Sequence, residues 1–161
     1  MNRILRMLAD TNQSIPKYVL RAGLVSAIPE IIVGIMFIKL GVYGWLGPPP
    51  EFSHTARILS SIADPWIEVF IMRPVMRVLQ RRIRKTLWIG VASGVILGGL
   101  FYSPWGPGWG LGAVWRLLVL SMCLMEWEKK DKKRAIIVTG LANTCGSLLC
   151  GIVYIISFLA T

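Results

Sequence analysis

Apolar residues gather along the chain in five runs, each near the length of a bilayer span, roughly 20 residues. Polar turns or proline-rich breaks separate them. The runs extend from about Ala22 to Leu46, Ala56 to Leu79, Leu87 to Tyr102, Leu111 to Trp127 and Ala135 to Ala160. This pattern predicts an all-α, polytopic helical membrane protein, with residues 1–161 forming one transmembrane domain. Residues 1–18 precede the first run as a basic amphipathic segment, NRILRML at its start, suited to lie on the inner leaflet. No cleavage site follows a compact apolar core, so this is not the pattern of a signal peptide.

Within the runs, local chemistry refines the picture. Pro29 stands inside the first, so a kink and a borrowed hydrogen-bond partner are expected there. Tyr43 and Trp45 have the character of interfacial aromatics, and Gly47-Pro48-Pro49-Pro50 ends the helix, because consecutive prolines supply no amide protons. Gly90, Gly94 and Gly98 recur every four residues, giving one helix a face of small side chains for close approach.

Composition agrees. The chain is 55% hydrophobic and 16% charged, whereas soluble domains average about 45–50% and about 25%. The formal charge of +10 admits a nucleic-acid reading, but its distribution argues against one. Most basic residues fall in three clusters, around Arg3 to Arg21, Arg77 to Lys85 and Lys129 to Arg134, each at the end of an apolar run. The positive-inside rule places all three on the cytoplasmic side of a five-span, N-inside, C-outside topology. The expected contacts are the bilayer, with its anionic inner leaflet, and no nucleic acid. Cys123, Cys145 and Cys150 lack metal-ligand spacing and there is one histidine, so no metal or cofactor is expected.

Ionisable residues inside spans are costly and default to being functional or paired. Glu30, Lys39, Asp64, Glu68, Arg73 and Arg116 all lie within the runs, and a mutually neutralising network accounts for all six. Asp64 and Glu68, four apart, share a helical face. Glu68 and Arg73 are about 140° apart around the helix and make poor partners. Val69, one turn before Arg73, cannot pair with it. Arg73 therefore needs a carboxylate from elsewhere, with Glu30 or Asp64 as the expected source.

The segment ADPWIEVFIMR, Ala63 to Arg73, resembles the first motif, EExxxR, of the CAAX-protease and bacteriocin-processing family of intramembrane glutamic peptidases. The resemblance covers roughly Ile58 to Ser147. The family's FxxxH motif corresponds to Phe101 through Trp105, and its HxxxN motif to Thr139 through Asn143. Glu68, Arg73, Phe101 and Asn143 match; Val69 replaces the second glutamate, and Trp105 and Thr139 replace the two histidines. In the family, the glutamate and histidines activate water and stabilise the oxyanion, so the resemblance implies a framework that has lost its acid–base groups. Read without the family, Trp105 is an aromatic-belt residue and Asn143 is interhelical glue on a small-residue helix.

Three functions follow. The first is an inactive relative that binds another membrane protein as an accessory subunit, assembly factor or immunity-type factor. The second is a working peptidase using Glu68 with other helpers. The third is a small proton-coupled transporter relaying through Glu30, Asp64, Glu68 and Arg116. A bacterial plasma membrane fits the resemblance.

Overall fold

The computed structural model describes residues 2–39, 54–102 and 107–159. Among the described residues the chain is all-helical: α1 (Asn2–Ala9), α2 (Ile15–Lys39), α3 (His54–Gln80), α4 (Thr86–Tyr102), α5 (Pro107–Glu128) and α6 (Lys132–Leu159). The expected apolar runs fall on α2 to α6, except that residues 40–46 and 160 lie outside the described residues, as do Tyr43, Trp45, the Gly-Pro-Pro-Pro break and Trp105. α2 begins earlier than the hydropathy pattern suggests. The Ser14 carbonyl accepts the Tyr18 N–H at 3.0 Å, and Pro16 sits in the first turn, where its missing N–H leaves no gap.

α2 runs through Pro29 as one helix. Proline cannot donate to the carbonyl four residues back, so the Val25 carbonyl loses its intrahelical partner. The Trp115 indole N–H, from α5, donates to it at 2.8 Å. The borrowed partner expected from Pro29 is therefore a tryptophan on another helix.

α5 is the central helix, with Leu117, Leu120 and Leu124 fully buried. The glycine face of α4 lies against it. A Cβ on Gly94 would stand 2.6 Å from the Val114 carbonyl oxygen, and one on Gly98 3.1 Å from that of Gly110. Backbones this close tolerate no side chain between them. α2 and α6 meet in the same way, since a Cβ on Gly146 would lie 2.8 Å from Ser26 Oγ. Ser93 and Ser121 hydrogen-bond across α4 and α5.

α1 turns its apolar side toward the bundle. Leu8 is buried, and Ile4, Leu5 and Met7 pack against the core. The Leu8 carbonyl accepts the Tyr18 hydroxyl at 2.9 Å, and the Tyr18 ring meets Trp127 edge-on at 5.3 Å. Ile4, Leu5 and Met7 are half-buried by this packing, and Arg3 and Arg6 stay exposed.

Lys130 Nζ donates to the Thr11 carbonyl at 3.1 Å and to Asn12 Oδ1 at 2.6 Å, so the turn after α5 is tied to the turn after α1. Asp131 caps α6 by accepting the backbone N–H groups of Lys133 and Arg134 at 2.7 and 3.1 Å. Those bonds, with the charges of Arg134 and Lys133, hold its carboxyl below the usual carboxylate range. A groove lined by Arg84 and Lys129 joins the α3–α4 loop to the same end. The three basic clusters thus share one end of the bundle.

Two helices, Ile15–Met36 and Lys132–Val153, are long and apolar enough to cross a membrane, each with mean hydropathy 1.8 over its span. Large apolar side chains face outward, including the stripe Leu20, Leu24, Ile28, Ile32 and Met36 on α2.

Candidate functional site

Charged and polar side chains converge inside the bundle, one or two from each of the five long helices. Near the middle of α3, Glu68 is 7% exposed; Arg116 of α5 is 5% exposed and Asn143 of α6 is fully buried. Groups so deeply buried must be hydrogen-bonded and charge-compensated to persist.

Both oxygens of Glu68 are engaged. Oε2 accepts Asn143 Nδ2 at 2.8 Å. Oε1 accepts the Tyr102 hydroxyl and lies 3.4 Å from Arg116 Nη2. The same nitrogen donates to the Tyr102 oxygen, so the phenol takes a proton donor from Arg116 and hands its own to Glu68. The Arg116 carbon Cζ sits 5.2 Å from the Tyr102 ring centroid. Nη1 donates to Ser147 Oγ at 3.1 Å, and Nε lies 3.4 Å from Glu30 Oε2. One guanidinium therefore holds two buried carboxylates from different helices, which suits its planar fork of donors.

Each position follows from local structure. Asn143 Nδ2 also donates to the Pro65 carbonyl at 3.1 Å, fixing α6 to the turn of α3 before Glu68. Gly140, one turn before Thr144 on α6, lets Trp66 close in: a Cβ there would stand 2.7 Å from the indole ring. α4 ends at Tyr102, and this brings its hydroxyl to Glu68.

Of the six residues expected as one intramembrane network, Glu30, Glu68 and Arg116 are brought together. The other three are not. Asp64 is exposed and takes no part in the hydrogen bonds around Glu68 among the described residues. One helical turn is enough to place two residues on a face, and Asp64 lies within reach of the Arg116 charge, but the neighbouring helices cover that face at Glu68 and leave Asp64 exposed. Lys39 is exposed at the end of α2. Arg73 does find a carboxylate, but it is Glu128 at the end of α5, with Nε 2.7 Å from Oε1, rather than Glu30 or Asp64. The angular offset between Glu68 and Arg73 directs them to different neighbours, the first into the bundle and the second toward its basic end.

Thr139 is fully buried, one turn from Asn143 on α6, and its hydroxyl and Asn143 Oδ1 find no hydrogen-bond partner among the described residues. Trp105 lies outside the described residues, and so does the side chain of Phe101. Cys123, Cys145 and Cys150 are free thiols among packed helices, and no group of metal-ligating residues occurs among the described residues.

Sequence reasoning missed Tyr102, Ser147 and Glu128. Tyr102 has the sequence appearance of a belt aromatic, and nothing in its neighbourhood marks it as a carboxylate donor. Glu128 sits in a charged stretch, EWEKKDKKR, that reads as a solvated turn. Comparison with protein-family models, curated proteins and solved structures finds no match to this chain.

Proposed function

We propose that this chain is a five-span membrane protein, N-inside and C-outside, built on a framework resembling the CAAX-protease and bacteriocin-processing peptidases. In it the catalytic position has become a structural clasp, and the protein acts by binding another membrane protein as an accessory subunit, assembly factor or immunity-type factor. The observation that carries this reading is the engagement of Glu68. A glutamate that activates water needs a free lone pair aimed at the water and a neighbouring group that exchanges protons. Here Asn143, Tyr102 and Arg116 fill three of its roughly four lone-pair sites. None of them is a general base, because amide, neutral phenol and guanidinium all act here as donors.

Five spans are supported by the placement of charge. α3 and α5 carry charges that lower their hydropathy; Glu68, Arg116, Arg73 and Glu128 are paired within the bundle, whereas Asp64 and Arg77 of α3 are exposed. A paired charge facing the interior is the form in which membrane helices carry one. α4 has 17 residues, the short end of the range that crosses a bilayer, about 17–25. Polar groups inside and apolar stripes outside are the distribution expected of helices bathed in lipid. The basic end is assigned to the cytoplasm by the positive-inside rule.

Affinity purification from native membranes tests the reading. A stoichiometric membrane subunit should be retained, and Glu68→Gln made at normal level should still retain it. Cleavage of a membrane substrate that Glu68→Gln abolishes would establish the peptidase instead. Proton-coupled flux from reconstituted protein alone would favour a relay through Glu30 and Glu68.

A further inference from the structure

At the basic end, the α3–α4 loop and the end of α5 enclose an open groove of about 460 Å³. This is within the range of small-ligand sites, about 300–1,000 Å³. Its floor is apolar: Ile89 and Met125 are buried and Ile83 is half-buried. Its rim is cationic, with the exposed Arg84 from the α3–α4 loop and the exposed Lys129 from the turn after α5, together with Gln80. The acid in the lining, Glu128, is compensated from α3 by Arg73 at 2.7 Å. Lys129 reaches back to Glu126 in the last turn of that helix at 2.6 Å, an exposed contact for which a phosphate oxygen competes readily. Arg81, Arg82 and Lys85 flank the groove on the same loop.

We propose that this groove binds the headgroup of an anionic phospholipid. Arg84 and Lys129 take its phosphate, and Ile83, backed by the buried Ile89 and Met125, receives the glycerol and the first acyl carbons. The inference rests on the membrane reading above but not on the peptidase resemblance. Charge complementarity selects an anion, and the apolar surface still uncovered at Ile83 and Trp88 selects an amphiphile over a free anion, which gains nothing from covering it. Depth agrees as well. Trp88, at the first turn of α4 beside the groove, is 57% exposed, as an aromatic at headgroup level is. Basic pockets between helices on the cytoplasmic side are a known form of lipid headgroup site. A guanidinium and an ammonium also complement each other here, since Arg84 can grip two phosphate oxygens at once while Lys129 supplies a mobile point charge.

The test uses the full chain in detergent, titrated with phosphatidylglycerol or phosphatidylcholine, with bound lipid counted by native mass spectrometry. Phosphatidylglycerol should bind in preference, at one high-affinity site. The double variant Arg84→Gln, Lys129→Gln should weaken that binding by at least about tenfold, since each charge near the surface contributes about fivefold. Lys132→Gln with Lys133→Gln removes equal charge from exposed positions at the same end and should change it less than about twofold. Equal losses in the two doubles would overturn the proposal in favour of a diffuse basic surface. Inorganic phosphate binding as tightly as the lipid would overturn it in favour of a free-anion site. Carbonate washing of membranes separates the premise from the proposal: protein released by the wash is not integral, whereas retained protein without lipid preference refutes the groove alone.

Discussion

Replacing Arg116 by glutamine probes the clasp most directly. The guanidinium lies 3.4 Å from Glu30 Oε2 and 3.4 Å from Glu68 Oε1. At an effective dielectric of about 20, each contact carries on the order of 5 kcal/mol of direct attraction, much of it offset by the desolvation of the three charges. Glutamine keeps a hydrogen bond or two but leaves both buried carboxylates without their cation. Breaking one buried ion pair by removing a partner costs about 3–5 kcal/mol. The loss of the bond to Ser147 adds about 0.6 kcal/mol, the average for interhelical hydrogen bonds in membranes. Arg116→Gln should therefore lose about 4–6 kcal/mol in an SDS-titration unfolding assay. Adding Glu30→Gln and Glu68→Gln, which removes the stranded carboxylates, should restore most of it. Asn143 assists the rescue: its Nδ2 can go on donating to the carbonyl of the new glutamine at position 68 and to the Pro65 carbonyl, while the glutamine N–H is free to donate to the Tyr102 hydroxyl oxygen. Arg116→Gln unfolding within about 0.5 kcal/mol of the parent, or a triple variant no better than the single one, would refute the clasp.

The Val25 carbonyl gives a second test. Trp115→Phe strands it and should cost about 1–3 kcal/mol, and Pro29→Ala, which restores the missing intrahelical donor, should recover part of that loss in the same assay; additive losses would count against the contact. Gly94→Ala pushes a methyl group to 2.6 Å from the Val114 carbonyl and should lower the amount of folded protein, whereas Gly151→Ala, whose Cβ meets nothing within 4 Å, should leave it unchanged. Asp131 has a lowered folded-state pKa, so its cap is fully present above the unfolded value of about 3.9 and is lost as pH falls through the folded one. Protection of the Lys133 and Arg134 amides against hydrogen exchange should decline over that acid window and stay level in Asp131→Asn. Finally, cysteines replacing Arg82 and Lys132 should resist an impermeant thiol reagent in intact cells while one replacing Ser53 reacts; labelling of Ser53 and Lys132 positions together would rule out the five-span topology.

Taken by itself, the sequence determined the helical class and the order of the helices, with the basic residues in three clusters at the ends of the apolar runs. These are local properties: hydropathy and helix-ending residues act within about a turn or two of where they are written. It also marked the glycine face of α4, since a four-residue spacing is visible without knowing the partner, and it showed that Val25 would lack a donor once Pro29 was placed in a helix. Trp115 as that donor, Glu128 as the partner of Arg73 and Tyr102 as the hinge between Arg116 and Glu68 were decided only by tertiary structure. Each joins residues 14 to 90 apart in the chain, and several acids and aromatics compete for each role on sequence alone. Asp64 and Glu68 make the point within one helix. Four residues apart, the two acids are equivalent by periodicity, yet one is exposed and the other is enclosed by α4, α5 and α6. Helix geometry fixes which residues share a face, and only the packing of neighbouring helices fixes how much of that face is covered.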